Sequence, residues 1–441
     1  MIGKQFLQNM CELSLAYARG QSFENTGDFQ ESGWGKDAVK RRIACLFLAV
    51  VLAAALLGGC TDTGEPVVTQ MGEGTYKIAI ITGTTSQGEE EYRAAEGMKQ
   101  MYGDRIVTSV YPDNAAQETE VTMQRVQELI ADPDVKVLIF CQAVVGAKAA
   151  VEKARETRDD ILYLCGIPGE DPEQIASAAD VVLAMDVIGV GNVLIQQVKA
   201  MGAKTFVHVS FPRHMAADMG IRRHDLLKEN AEREGLVFVD VEVPDPMGEG
   251  GPAATQKAVR EMMPLWVEEY GKDTAFFATN CSIQEPLILG AVETGAIVPL
   301  QCCPSPLHGF PGALGIEIPQ KQQGNMEYVI QEIRQKLAEK GADGSRFATW
   351  PVPMGMGFIQ AGVEYGIRYM EGETEGKNDE AVLQQCLDRG FGAGSTLSHY
   401  PAADGSELPN FYLVMCDFIT FEDLLKKMCI RDSQRGQGIF G

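Results

Sequence analysis

From residue 76 onward, short runs of β-branched and aliphatic residues alternate with longer stretches in which apolar positions recur every three or four residues. The short runs have the pattern of buried strands and the longer stretches that of amphipathic helices. Nine strands are predicted: KIAIIT, IVTSVY, VKVLIF, ILYLCG and VVLAMD, then TFVHVS, VFVDVEV, TAFFAT and AIVPLQ. Between them, helices are predicted over EEYRAAEGMKQMY, AQETEVTMQRVQELIA, GAKAAVEKARE, NVLIQQVKAMG, RRHDLLKENAEREG and QKAVREMMPLWVEEY. Regular alternation implies parallel sheets with helices on both faces, and nine strands exceed what one open sheet of this size usually carries. The predicted fold class is α/β, with two doubly wound parallel-sheet lobes and a ligand cleft between them. The first lobe is expected over 75–187 and the second over 188–344. The stretch RFATWPVPMGMGFIQAGVEYGIRYM, with its Pro/Gly turn and helix, is expected to bring the chain back, so that 345–427 complete the first lobe.

Composition narrows the function classes. The 441 residues are 45% hydrophobic and 22% charged, an ordinary globular balance. A formal net charge of −23 argues against nucleic acid as a partner, because phosphate backbones are held by clustered Lys and Arg.

The N-terminal pattern is of another kind. In VKRRIACLFLAVVLAAALLGGC, Lys40, Arg41 and Arg42 precede an apolar run of signal-peptide length that ends in Leu57-Gly58-Gly59-Cys60. The ending resembles the lipobox of bacterial lipoproteins. That resemblance implies a signal peptide over 39–60, lipidation of Cys60, and an extracytoplasmic protein held to the membrane by its lipid. An uncleaved N-terminal anchor is the alternative. Residues 1–38 have no place in a secretory signal and are read as an extension from an early start, with Val39 as the true one. Residues 61–74, TDTGEPVVTQMGEG, read as a tether. The end, MCIRDSQRGQGIFG over 428–441, resembles the translation of a transposon mosaic end and is read as a non-native tail.

Open α/β sheets bind ligands beyond the carboxyl ends of their strands, so the candidate chemistry is sought there. After the first strand, GTTSQGEE over 83–90 has the outline of a phosphate loop, but Glu89 stands where the lysine belongs and Glu90 where the hydroxyl belongs. Carboxylates there repel a triphosphate, which argues against the nucleotide-hydrolase reading. Thr84, Thr85, Ser86 and Gln87 are instead read as polar groups on one wall of the cleft, or as a solvated loop capping the next helix. Gln142 after VLIFC and Asp186 after VVLAM complete that wall. Asp113 and Asn114 in VYPDN serve equally well as helix caps.

On the second wall stand Arg213 and His214 after TFVHVSFP, Asp245 between the prolines of VEVPDP, and Asn280 in FFATNCS. Arg213 suits a carboxylate or phosphate, His214 can donate or accept, and Asn280 can do both at once. An ion pair or helix-end decoration is the alternative for the first two, and a turn role for Asp245.

Cys302, Cys303 and His308 invite a zinc or thiol-catalysis reading. Adjacent cysteines do not match C-x2-C, however, and further ligands must come from afar. GVGNVL over 189–194 lacks the third glycine of a dinucleotide loop, and neither G-x-S-x-G nor H-E-x-x-H occurs. No metal and no cofactor are predicted. Once Cys11, Cys45, Cys60 and Cys429 are set aside with the ends, seven cysteines remain, an odd count without the spacing of a disulfide framework.

Several motifs together carry a resemblance: EEEYRAAE, YPDN, DPDVK, EDPEQIA, MGAKTFVH, SFPRHM, PDP, ATNC and CCPSPLHGFPGALGIEIP. From about Lys77 to Phe421 the chain resembles an uncharacterised family of bacterial lipoproteins, a domain of unknown function with a fold similar to type I periplasmic binding proteins. The resemblance implies the two-lobed architecture and export; it assigns no ligand, reaction or site residue. The expectation is a lipid-anchored, extracytoplasmic solute-binding protein for a small polar molecule, feeding a transporter permease or a membrane sensor. The alternatives are a lipoprotein hydrolase or transferase in the same cleft, with His214 as base oriented by Asp245, or an interaction module that binds no small ligand.

Overall fold

The computed structural model describes residues 71–423, except 73, 217 and 393; for Gln87 and Asp218 only the backbone is described. Cys60, the signal, most of the tether and the tail lie outside the described residues.

The first sheet is built from β1 (Lys77–Thr82), β2 (Ile106–Val110), β3 (Val135–Phe140), β4 (Leu162–Gly166) and β5 (Val181–Met185). All pair in parallel. The crossovers are α1 (Thr85–Tyr102), α2 (Thr119–Ile130), α3 (Ala147–Arg155) and α4 (Pro172–Ala178). Ile78, Ala79, Ile80 and Ile81 are all fully buried, as expected of a central strand covered on both faces.

α5 (Val190–Ala200) then leads into the second sheet: β6 (Thr205–Ser210), β7 (Val237–Glu242) and β8 (Thr274–Ala278). These are parallel in the order β7-β6-β8. Between and after them lie α6 (Pro212–Met215), α7 (Asp218–Glu234), α8 (Gly251–Tyr270), α9 (Cys281–Thr294), α10 (Phe310–Leu314) and α11 (Met326–Glu339). The strand expected at AIVPLQ is reduced to bridges at Ile297 and Val298, because Pro299 has no N–H to continue a ladder. Val298 bridges Phe347, next to the short β9 (Ala348–Thr349).

The chain returns through α12 (Met354–Met370), whose glycine face lies close on the first sheet; a Cβ at Gly366 would meet Val137 at 3.0 Å. After α13 (Glu380–Phe391), β10 (Ser395–Pro401) and β11 (Glu407–Cys416) form an antiparallel hairpin, with β11 parallel to β5. The first sheet thus runs β10-β11-β5-β4-β3-β1-β2. Finally β12 (Ile419–Thr420) pairs with β9. No helix among the described residues is long and apolar enough to cross a membrane.

Candidate functional site

Parallel pairing places the carboxyl ends of β1 to β5 on one edge of the first sheet and those of β6 to β8 on one edge of the second. At the first edge, Thr84 caps α1, its hydroxyl accepting from the Ser86 N–H. The Thr84 and Ser86 hydroxyls both donate to the Asp113 carboxylate, Ser86 at 2.9 Å. These bonds hold the Asp113 carboxyl below its ordinary value, and the loops after β1 and β2 become one polar unit. Thr85 is exposed beside them.

Gln142 accepts from the Tyr111 hydroxyl at 3.1 Å and donates to Glu91 at 3.2 Å. Asp186 accepts the Gly189 N–H at 2.7 Å, tying down the start of α5. Depressions of 400, 390 and 520 Å³ elsewhere on the surface are lined by none of these residues.

At the second edge, Arg213 grips Asp245 through two parallel bonds of 2.8 and 2.9 Å. The pair is intramural, joining the loops after β6 and β7. His214 directs Nδ1 to the Thr279 hydroxyl at 3.2 Å, and burial with Arg213 and Arg223 nearby pushes its pKa down. The Asp245 carboxylate is thus engaged with Arg213, and the arrangement in which it orients His214 as a base is not the one formed. Asn280 is the N-cap of α9, accepting from the Ser282 N–H at 2.9 Å.

Next to Asn280 the fold assembles what sequence spacing could not. Cys281 Sγ lies 3.6 Å from Cys302 Sγ and 3.9 Å from Cys303 Sγ, and Cys302 Sγ lies 3.6 Å from His308 Nε2. Cys281 is the first residue of α9, and the parallel order brings the loop after Val298 beside it. Gln284, one turn along α9, accepts the Cys302 N–H at 3.3 Å. His308 is set by the Ser305 turn, with its N–H bonded to the Ser305 carbonyl. Gly309 follows with φ of 82°, where a Cβ would meet Gln284 at 3.0 Å, so only glycine fits this turn without strain.

The Cys302 and Cys303 thiols and His308 hydrogen-bond to Cys281 and hold its pKa low. Donating to Cys281 pushes Cys303 up to about 11. The Arg223 guanidinium is buried beside Cys302 and Cys303, and its Nε has no hydrogen-bond partner among the described residues.

From the first lobe, Glu90 reaches this cluster. Burial and the charge of Glu91 push its carboxyl up to about 7, against the pull of His308 and Ser305. Glu90 entered the sequence reading only as a residue hostile to phosphate. Its place one turn into α1, just past the non-helical Gly88, turns it toward the opposite lobe's loop.

Two parallel-sheet lobes with polar side chains gathered at their strand ends define a type I periplasmic-binding-protein-like fold. The family model described as "Protein of unknown function (DUF3798)" matches residues 76–348, and the chain belongs to that family. A Treponema pallidum (strain Nichols) protein described as "Uncharacterized protein" is 32% identical over 171 residues, covering 38% of this chain and 79% of that one. A crystal structure from Clostridium difficile 630, provisionally described as a transcriptional regulator, is 24% identical, covers 78% of this chain and 99% of its own, and has a TM-score of 0.71. A periplasmic solute binding protein of an ABC transporter from Actinobacillus succinogenes 130z, with bound D-allose, is 13% identical with a TM-score of 0.43, covering 80% of this chain and 99% of its own.

Proposed function

We propose that this protein is an extracytoplasmic solute-binding protein, anchored by lipid at Cys60, that closes two α/β lobes around a small polar molecule and presents it to a transporter permease or membrane sensor. On this reading the first lobe comprises 75–187 completed by 345–427, and the second 188–344. The observation that carries it is the seam. Glu90 of the first lobe stands against Ser305 and His308 of the second, and Arg93 Nη2 donates to Gln323 Oε1 at 2.8 Å beside it. On this reading groups at the carboxyl ends of both sheets face a common cleft, where hinge closure couples to contacts from both walls. On this reading the first wall comprises Thr84, Thr85, Ser86, Gln142 and Asp186, and the second Arg213, His214, Asp245 and Asn280.

The test is a thermal-shift panel of sugars, nucleosides, amino acids and small carboxylates on the purified protein. A ligand at about a hundredfold over its Kd stabilises by about 2.7 kcal/mol, which raises Tm by several degrees. A panel that leaves Tm unmoved, with no small molecule carried through purification, refutes the reading.

A further inference from the structure

We propose that Cys281, Cys302, Cys303 and His308 form a site for a thiophilic cation of the zinc class on the second-lobe side of the cleft. The site goes beyond the solute-binding reading and stands without it, since all four ligands belong to one lobe.

The spacing fits such an ion. A tetrahedral centre with metal–sulfur bonds of about 2.3 Å and a metal–nitrogen bond of about 2.0 Å has sulfur–sulfur edges of about 3.8 Å and sulfur–nitrogen edges of about 3.5 Å. The observed sulfur–sulfur separations are 3.6 and 3.9 Å, and the sulfur–nitrogen separation is 3.6 Å. The ligand atoms of Cys281, Cys302 and His308 all lie within 4.8 Å of one another. Cys303, exposed at the rim, is outside that mutual group, with its Sγ 3.9 Å from that of Cys281, and takes the fourth position by a side-chain rotation.

Three of the ligands are held by contacts other than those among the sulfurs. Cys281 starts a helix capped by Asn280, Cys302 hangs from Gln284, and His308 sits on the Ser305 turn. Hydrogen bonding among the thiols themselves is a weak reason for this convergence, because S–H is a poor donor and sulfur a poor acceptor. Charge supplies a second reason. Three thiolates and a divalent ion leave one negative charge, and the buried Arg223 with its unpartnered Nε lies beside Cys302 and Cys303 to offset it.

A second group of ligand-type residues makes the contrast. His208, His224 and Asp240 also lie within 4.8 Å of one another. There the carboxylate already accepts from His208 and His224 at 3.1 Å, so that group is explained as a hydrogen-bonded ion pair.

The test uses reduced, chelator-stripped protein titrated first with cobalt(II) and then with zinc(II). The expected result is one ion per chain, with thiolate-to-cobalt charge-transfer absorption and tetrahedral d–d bands that zinc abolishes. Cys281→Ser, Cys302→Ser and His308→Ala each weaken zinc binding by roughly 100-fold or more, and Cys303→Ser by roughly tenfold, because water can take an exposed fourth position. His224→Ala leaves binding unchanged. Cys281 and Cys303 are exposed, so their serine variants keep the wild-type metal-free melting curve and separate ligand loss from misfolding. The proposal is overturned by the absence of charge-transfer absorption, by binding that survives the Cys281→Ser/Cys303→Ser double variant, or by a disulfide among the three sulfurs that persists in reductant.

Discussion

The two walls of the cleft are built alike but finished differently. On the first, polar groups satisfy one another: Thr84 and Ser86 bond Asp113, Gln142 bonds Tyr111 and Glu91, and Asp186 ties a backbone N–H. On the second, Arg213 and Asp245 are likewise paired, but the loop after Val298 gathers three sulfurs and an imidazole beside Arg223, whose buried Nε has no hydrogen-bond partner among the described residues. Buried polar groups are normally matched. A wall that matches its own groups is a scaffold, and one that leaves them unmatched is where a ligand contributes most. The second wall is therefore the chemically demanding one, and Glu90 is the first wall's main contribution to it.

The contrast can be broken in several places. The largest effect is expected from Cys281→Ser, whose hundredfold loss of zinc affinity corresponds to about 2.7 kcal/mol; an equal loss from Ser86→Ala would erase the distinction between the walls. Next comes pH. The Glu90 carboxyl sits near 7 in the fold against an ordinary 4.5, so its protonated form favours the closed seam. That stabilisation is complete below about pH 4.5, is lost as pH rises through about 7, and amounts to on the order of 2 kcal/mol. The groups facing Glu90 are Glu89, Glu91, Ser305 and His308. Denaturant unfolding at pH 5 and pH 8 should show the fall, and Glu90→Gln should flatten it; an unchanged slope in the variant assigns the pH dependence elsewhere.

Smaller still, Asn280→Ala removes the cap of α9 and should cost about 1 kcal/mol in unfolding free energy. It should also loosen Cys281 and weaken zinc binding by a few-fold; a stability loss with unaltered zinc affinity would show that the cap does not position the sulfur. The smallest effect is that of Arg213→Ala on stability. This pair is at the surface, where ion pairs contribute little, so the melting curve should overlay that of the wild type. A loss of ligand affinity in that variant would then read binding alone.

Much of the fold was legible because its central strands carry apolar runs such as IAII in KIAIIT and VLIF in VKVLIF. The hairpin at 395–416 was not, because β10, STLSHYP, is an edge strand that mixes Ser, His and Pro, and β11, ELPNFYLVMC, opens with exposed Glu407 and Pro409 before its buried run from Phe411. A short edge strand needs no continuous apolar run. AIVPLQ misled in the opposite way, being apolar enough for a strand but interrupted by Pro299.

For the candidate residues, place in the chain was legible and partnership was not. Arg213, Asp245 and Asn280 do follow β6, β7 and β8, yet that Arg213 would hold Asp245 is decided by how the loops after β6 and β7 fold. Cys281 stands 21 residues from Cys302, and no local spacing motif spans that distance. The signal available was that Cys281 lies just past the end of β8, next to the candidate Asn280.

The most direct measurement is native mass spectrometry of the purified protein, first as isolated and then after exposure to the solute panel. The account predicts one small polar molecule per chain, lost or weakened when Glu90 and Asn280 are replaced together and returned chemically unchanged on denaturation. A bare chain under every condition, or a bound molecule indifferent to both walls, would contradict it.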